Sequence, residues 1–273
     1  MKSSVELLPR WNLDLRNINK FLDRILSDVN FPQNKRGRPY KREPSIYIRL
    51  IILKEFFSCS LRKAESLGGI DHSVIHFWEK KLSKNFIENL VKQISKSLDM
   101  DYDFSFLDST VFSTWRNQGI EVHTLARICR ETVYPVSIYF GKVSPSKAVS
   151  RVTIQGNGFI LADRWYDVND VFRTIYRKGY IPLIKPQRTR GRGYWRRKGR
   201  GVYSREWRMY RQRGRGESVF GSLTNEFGDR LKTVLWETSV TRIGCRFVVY
   251  LVKLLMRKEL RRFDWGLVII WNY

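Results

Sequence analysis

The sequence has few cysteines, few acidic residues and no long apolar run. Cys59, Cys129 and Cys245 are odd in number and far apart, which argues against a disulfide framework or a structural zinc site and predicts buried thiols in a reducing compartment. The apolar stretch from Phe247 to Met256 is interrupted by Lys253, whereas a membrane-spanning helix needs about 20 apolar residues. The N-terminus also lacks the apolar core of a secretory signal. We therefore expect an intracellular protein without a membrane-spanning segment.

Acidic residues are scarce relative to basic ones. The chain has 51 Lys and Arg against 26 Asp and Glu, which gives a net charge of +25 and an isoelectric point near 10.3. A surplus of this size indicates a polyanionic partner, of which nucleic acid is the usual example.

The first hundred residues have the apolar periodicity of helices. Residues 12–28 predict an amphipathic helix, residues 34–44 a basic linker, and residues 45–82 three short helices with tight turns, the last of them capped by Asp71. Three such helices are typical of a helix-turn-helix. The alternative is a plain helical bundle with solvated basic residues. The spacing of the apolar residues alone favours the helical bundle. The high net charge raises the support for a DNA-binding helix-turn-helix.

After about residue 100 the pattern changes to short runs rich in β-branched and aromatic residues. These runs are "FSFLDSTVF", "TVYPVSIYF", "GFILAD" and "YIPLIK", with helical patterns between the last two and after them. We therefore predict an α/β fold with a mixed sheet flanked by helices, preceded by an all-helical domain. The predicted division is 1–99, a helix-turn-helix-like DNA-binding region, and 100–273, a catalytic domain with a basic insertion at about 185–209.

Two aspartates end or interrupt the predicted strands. Strand alternation puts Asp108 on one face with Phe104 and Phe106, and Asp163 ends the run "GFILAD". Open α/β sheets build their sites at the carboxyl ends of strands, and hard ions such as Mg²⁺ take carboxylate and phosphate oxygens as ligands. Each aspartate taken singly also fits an ordinary cap or turn. Together, in a basic protein, they suggest phosphodiester chemistry.

A third acid is found in "YRQRGRGESVFGSL". Glu217 follows Tyr210 and Arg213 by seven and four residues, so the three share one face if the segment is helical. Gly214 and Gly216 weaken such a helix by about 1 kcal/mol each. Arg213 is one turn from the acid and suits contact with phosphate.

The segment 185–215 holds thirteen Lys or Arg and a single acid, Glu206. One interpretation is a disordered basic insertion that binds any polyanion. The other is a mobile, glycine-rich loop that lies beside the scissile phosphate and holds DNA through backbone contacts. We predict that its DNA-binding residues are Arg192, Trp195, Arg196, Arg197, Lys198 and Arg200, together with Tyr210 and Arg213.

These motifs resemble the DDE transposases of bacterial and archaeal insertion sequences. "FLDST" resembles the first-aspartate motif, "LADRWYD" with "GYIPLIKP" the second, and "YRQRGRGE" the Tyr-x2-Arg-x3-Glu pattern, and the acids lie 55 and 54 residues apart. The N-terminal helical region is similar as well. The chain departs from the family pattern at Thr224, where a Lys is often found, and in the short segment between "SIYFG" and "GFILAD".

The resemblance implies a ribonuclease H-like catalytic domain in which Asp108, Asp163 and Glu217 bind two Mg²⁺ or Mn²⁺ ions. It also implies DNA cleavage and strand transfer at the ends of an insertion sequence, with terminal inverted repeats and target DNA as partners. A homodimer in the synaptic complex and a cytoplasmic, nucleoid-associated location in a prokaryote are implied too. Two alternatives stay open: a non-catalytic DNA-binding descendant of a transposase, and a metal-dependent nuclease of the same fold.

The C-terminal part is less informative. Residues 241–263 predict a helix that packs against the catalytic sheet, and the final "DWGLVIIWNY" suits either an added strand or a dimer contact.

Overall fold

The N-terminal part of the chain is helical, as its periodicity predicts. The computed structural model describes residues 15–32, 39–98, 100–116, 118–130, 132–188 and 192–270, with side chains between residues 18 and 259. Residues 34–38 of the predicted linker lie outside these ranges. The first five elements are α1 (Leu15–Leu26), α2 (Pro44–Phe56), α3 (Leu61–Gly68), α4 (His72–Lys81) and α5 (Lys84–Lys96).

Side-chain caps determine where these helices begin. Ser60 Oγ accepts a hydrogen bond from the backbone N–H of Lys63 at 3.2 Å, and Asp71 Oδ1 accepts one from that of Ser73 at 2.7 Å. Each cap satisfies a backbone donor that the first helical turn leaves unpaired. α3 is followed by Gly69 with a φ of 59°, a left-handed conformation that favours glycine. The tight turns and the cap at Asp71 are therefore present as predicted.

A six-stranded mixed sheet follows the helices. Its strands are β1 (Phe104–Thr114), β2 (Gly119–Ile128), β3 (Val133–Phe140), β4 (Phe159–Ala162), β5 (Ile181–Ile184) and β6 (Arg230–Leu231). The spatial order is β3-β2-β1-β4-β5, and β6 pairs with β1. The first three strands are antiparallel, whereas β4 is parallel to β1 and β5 is parallel to β4. The α/β class, with a ribonuclease H-like mixed sheet after helices, is confirmed.

Helices flank the sheet in the second part of the chain. They are α6 (Pro145–Val152), α7 (Asn169–Arg177), α8 (Tyr194–Glu206), α9 (Arg213–Gly216), α10 (Ser218–Phe227) and α11 (Trp236–Ile270). The short segment after β3 thus accommodates a helix of 8 residues. None of the described helices combines the length and the apolar content that crossing a membrane requires.

The C-terminal helix packs mainly against the N-terminal helices. α11 contacts α2, α4 and α5 extensively, whereas the sheet, which the sequence predicts as its main partner, is contacted less, chiefly through β3. α5 in turn packs on β3. The predicted boundary after residue 99 falls between α5 and β1, and the division into two domains stays a prediction.

Three local expectations differ from the structure. β2 is absent from the predicted strands, because Glu121, His123 and Arg127 interrupt its apolar pattern. The segment predicted as a mobile loop contains α8, and the final residues up to Ile270 continue α11 instead of forming a strand. In both segments the helical conformation runs through residues whose local composition does not favour it, so composition alone was a poor guide.

A buried ion-pair network connects α2 and α4 to α11. Lys54 pairs with Glu55 and, at 3.0 Å, with Glu79. Arg242 lies 3.3 Å from Glu79, and Arg246 lies 3.5 Å from Glu55. The side chain of Glu79 is fully buried. Burial acts to raise the pKa of Glu79, but the charges of Lys54 and Arg242 outweigh burial and hold that pKa below its usual value.

We expect Glu79→Gln to lower the free energy of unfolding by roughly 3 to 5 kcal/mol, because it leaves the buried Lys54 and the partly buried Arg242 without their shared counter-charge. Urea unfolding at neutral pH measures the change. The matched control is Asp23→Asn, which removes the exposed partner of Arg49 and should change stability by no more than about 1 kcal/mol. Equal stability of the two variants would contradict a stabilising role for the network.

Candidate active site

Asp108 and Asp163 lie side by side at one edge of the parallel part of the sheet. Leu107 and Ala162 are partners in the β1–β4 register, and the two aspartates are the next residues along each strand. Because the register pairs the preceding residues, Asp108 within β1 and Asp163 directly after β4 lie at the same level of the sheet. The sequence predicted Asp108 on one face of a strand and Asp163 at the end of a strand, and the register explains why they come together.

Each aspartate uses one oxygen to bind the local backbone. Asp108 Oδ1 accepts a hydrogen bond from Ser109 N at 2.9 Å. Asp163 Oδ1 accepts one from Trp165 N at 2.8 Å and so caps the 3-10 helix Arg164–Tyr166. These bonds fix the carboxylates and leave the second oxygen of each for other partners. The cap function of Asp163 and a functional role are therefore compatible.

Glu217 lies between α9 and α10 and shares a cation with Asp108. Arg213 Nη1 donates to Glu217 Oε1 at 2.5 Å, and Arg213 Nη2 donates to Asp108 Oδ2 at 3.4 Å. One guanidinium thus bridges the first and third predicted acids. The predicted common face of Arg213 and Glu217 is confirmed by their direct contact.

A glycine allows this segment to approach β1 closely. A Cβ atom on Gly216 would lie only 2.3 Å from the ring of Phe106, so no larger residue fits without displacement of that ring. The Arg213 guanidinium lies 5.7 Å from the centre of the same ring. Gly216, which weakens a helix, is therefore required for packing. The local structure is a 3-10 helix (Met209–Gln212), then α9 and α10.

Burial and the two neighbouring acids raise the pKa of Asp108. Burial raises the pKa of Asp108 to about 6, and the negative charges of Asp163 and Glu217 act in the same direction. The Ser109 N–H and the Arg213 guanidinium oppose this shift without cancelling it. Asp108 is thus a half-buried carboxyl that needs more positive charge than Arg213 provides.

Two tyrosines surround the acids. Burial raises the pKa of Tyr210 to about 12, and Asp163 and Asp108 contribute to that rise. Burial and the same two aspartates also raise the pKa of Tyr166 well above its usual value. Tyr210 was predicted as a site residue, whereas sequence reasoning missed Tyr166. The signal that could have identified it is its position three residues after Asp163 in "DRWYD".

The donor set suits a hard divalent cation. Carboxylate oxygens are the preferred ligands of Mg²⁺ and Mn²⁺, and the bridging guanidinium demonstrates that a cationic group fits between Asp108 and Glu217. The only compact ligand set among the described residues lies elsewhere, at the α3–α4 turn, where ligand atoms of Glu65, Asp71 and His72 are within 4.8 Å of one another. The three predicted acids must therefore move closer to share one ion.

The predicted DNA-binding residues fall into different environments. Arg192, Arg197 and Lys198 are exposed, whereas Arg196 and Arg200 pair with the buried carboxylate of Asp167. Trp195 packs beside Tyr176 at a ring separation of 5.5 Å. Of the set, only Tyr210 and Arg213 adjoin the acids.

Thr224 stands where the family resemblance leads one to expect a Lys. Its hydroxyl donates to the carbonyl oxygen of Phe220 at 3.0 Å, one turn earlier in α10. It therefore contributes no positive charge to the site.

Comparisons with known proteins agree with the geometry. Residues 99–252 match the family described as transposase DDE domain, a stretch that contains all three acids and ends within α11. An uncharacterized protein of Aquifex aeolicus (strain VF5) is 24% identical over 260 residues, covering 82% of this chain and 81% of the relative. No solved structure matches the chain. Because the family match spans more than half of its length, the chain belongs to the family of DDE-domain transposases.

Proposed function

We propose that this protein cleaves DNA at the ends of an insertion sequence and joins those ends to target DNA. The observation that carries the proposal is the bridging of Asp108 and Glu217 by the guanidinium of Arg213, with Asp163 close enough to act on the pKa of Asp108, in a protein with a net charge of +25. A polyanionic substrate and a set of carboxylates conflict electrostatically unless cations lie between them. The combination of a strongly basic protein with a set of neighbouring carboxylates therefore supports metal-assisted phosphodiester chemistry.

Asp108, Asp163 and Glu217 are the residues that would hold Mg²⁺ or Mn²⁺, two ions in our proposal. Such ions supply Lewis-acid stabilisation of charge on the phosphate and on the attacking and leaving oxygens. A carboxyl group beside a buried strand is costly when its charge is uncompensated. The raised pKa of Asp108 is the expected sign of that cost, so the residues fit the group.

The side chains around the proposed metal site have different roles in binding the substrate. Glu217, whose side chain is 55% exposed, faces the substrate side of the site, whereas Asp108 is half-buried. The guanidinium of Arg213 has the planar fork of donors that matches a phosphate group, and it can exchange its bond to Glu217 for phosphate oxygens. Tyr210 lies beside the same acids and completes the contact with the DNA backbone.

The same proposal includes the partners. Terminal inverted repeats and target DNA are the substrates, and synapsis of two ends calls for a homodimer. The protein would act on the nucleoid in the cytoplasm. The helix-turn-helix-like region α2–α4 would bind duplex DNA, for which its outward basic residues are suited.

The first test is cleavage of a labelled duplex that carries the terminal sequence flanking the native gene. We expect cuts at the element boundary with Mg²⁺ or Mn²⁺ and none with EDTA. Glu217→Gln and Asp163→Asn should each lower the cleavage rate by roughly a hundredfold to a thousandfold or more, with DNA binding retained, because each removes charge that stabilises the transition state.

The matched control is Glu226→Gln, because Glu226 lies on α10, the helix that begins directly after Glu217, and pairs with Lys253. It should cleave like the wild type. Binding without any metal-dependent cut would favour the non-catalytic descendant. Cuts in RNA or branched DNA without preference for the element boundary would favour a nuclease.

The pKa of Asp108 leads to a prediction about stability. A carboxyl whose pKa is about 6 when folded and 3.8 otherwise binds more protons in the folded state between these values. The Asp108 carboxyl therefore lowers the free energy of unfolding increasingly as pH rises from about 4 to 6. The substitution Asp108→Asn removes this destabilising effect, because an amide does not ionise. We expect the free energy of unfolding of Asp108→Asn to exceed that of the wild type by on the order of 2 kcal/mol at pH 7.5. At pH 4 the two values should be nearly equal.

Thermal unfolding across that pH range, without metal, measures the difference, and the exposed Asp101→Asn serves as control. Adding Mg²⁺ should raise the Tm of the wild type and leave that of Asp108→Asn nearly unchanged, because a ligand stabilises only a folded state that binds it. Equal Mg²⁺-dependent shifts in both proteins would exclude Asp108 as a ligand.

A further inference from the structure

A fully buried carboxylate lies four residues after Asp163. The side chain of Asp167 has no solvent exposure. Its Oδ1 accepts from Arg196 Nε at 2.8 Å, and its Oδ2 accepts from Arg196 Nη2 at 2.9 Å and from Arg200 Nη2 at 2.6 Å. The backbone N–H of Gln187 also donates to Oδ2, at 2.7 Å. Asp167 is therefore saturated with donors, and it takes no part in the acid cluster.

Both guanidinium groups come from α8, so Asp167 holds this helix on the sheet. Burial acts to raise the pKa of Asp167, but the hydrogen bonds from Arg196 and Arg200 outweigh it and leave the pKa below its usual value. The carboxylate is accordingly charged at neutral pH. The pair between Arg196 and Asp167 is bidentate and so has a fixed geometry. It therefore orients α8 as well as holding it in place.

Close packing reinforces the ion pairs. A Cβ atom on Gly199 would lie 2.1 Å from the ring of Phe172 on α7, so α8 approaches α7 more closely than any side chain would allow. Val202, also on this inner face, is buried. The backbone N–H of Arg196 donates to Asn169 Oδ1 at 3.2 Å. The glycines that suggested a mobile loop are thus part of a packed interface.

The opposite face of α8 is basic and open to solvent. Arg197, Lys198 and Arg205 are exposed there. Among the residues that the structure describes, no carboxylate pairs with any of the three. Lys198 instead lies over the rings of Tyr176, at 4.7 Å, and Trp195, at 5.6 Å. Three cations on one face without counter-charges fit a polyanion.

The helix is also connected to the acid cluster. Tyr203 of α8 and Tyr210 have ring centres 5.3 Å apart, and Tyr210 senses the charges of Asp163 and Asp108. Asp167 and Asp163 flank the same 3-10 helix. α8 is therefore joined through Tyr203 and Tyr210 to the acids, beside which a scissile phosphate would bind.

We propose that Asp167 is a positioning residue that sets α8 beside the active site, with Arg196 and Arg200 as its partners, and that Arg197, Lys198 and Arg205 contact the phosphate backbone of DNA. This inference rests on the proposed function for its DNA partner. The proposal divides the basic residues of α8 into two groups, those that hold the helix in place and those that bind DNA. The sequence alone suggested DNA contact for residues of both groups.

Two neighbouring arginines of α8 provide a matched comparison. Binding of the full-length protein to a labelled duplex is measured between about 50 and 200 mM salt. The slope of the logarithm of the association constant against the logarithm of the salt concentration reports the number of phosphates that the protein neutralises. Arg197→Gln should reduce the slope by about one and leave the Tm unchanged. Arg196→Gln should lower the Tm and leave the slope unchanged, because its charge neutralises Asp167 and not phosphate. An equal loss of slope in both variants would overturn the division.

Hydrogen exchange tests the positioning role without DNA. In Asp167→Asn the backbone amides of α8 should exchange about tenfold faster or more, while those of β1 are unaffected, because local opening no longer breaks the ion pairs. The control Asp170→Asn loses only an exposed pair with Arg173 and should exchange like the wild type. Unchanged protection of α8 in Asp167→Asn would refute the positioning role. Failure of the wild type to bind any duplex would refute the DNA contact and the proposed function together, and the exchange result would still stand.

Discussion

The parallel pairing of β4 with β1 is the constraint on which the rest of the site depends. Four register partners bring the two strands together and end at Leu107 and Ala162. The next residue of each chain therefore lies at the same level of the sheet, and in both chains it is an aspartate, Asp108 within β1 and Asp163 directly after β4. Like charges at such a place repel, so the structure surrounds them with a guanidinium and polar groups. A shift of one residue in the register would separate the carboxylates and turn their side chains to opposite faces.

Much of the architecture follows from local pattern. The helices α1 to α4, four of the main strands and the three acids are predictable from periodicity, caps and motif spacing. β2 is not, because its polar residues acquire partners only in the folded sheet. His123, for example, is fully buried, donates a hydrogen bond from Nε2 to Gly141 O at 3.0 Å, and stacks on Trp165. A sequence pattern carries no information on such distant neighbours.

The basic segment illustrates a second limit. Its arginines are alike in the sequence, yet Arg196 and Arg200 are 29 and 33 residues from the carboxylate that they neutralise. Charge composition predicts a polyanionic partner but cannot distinguish a cation that is already paired from one that is free to bind. Likewise, glycine predicts flexibility when taken alone. At positions 199 and 216 it permits the close approach of two packed elements instead.

The ion-pair network between the N-terminal helices and α11 has a consequence for biosynthesis. Glu79 pairs with Arg242 across 163 residues, and Glu55 pairs with Arg246 across 191. A ribosome adds about 5 to 20 residues per second, so the helical region emerges many seconds before the cations that neutralise its buried acids. During that interval Glu55 and Glu79 share only Lys54. The N-terminal helices thus reach their final packing only after nearly the whole chain is made, and a nascent or truncated chain lacks it.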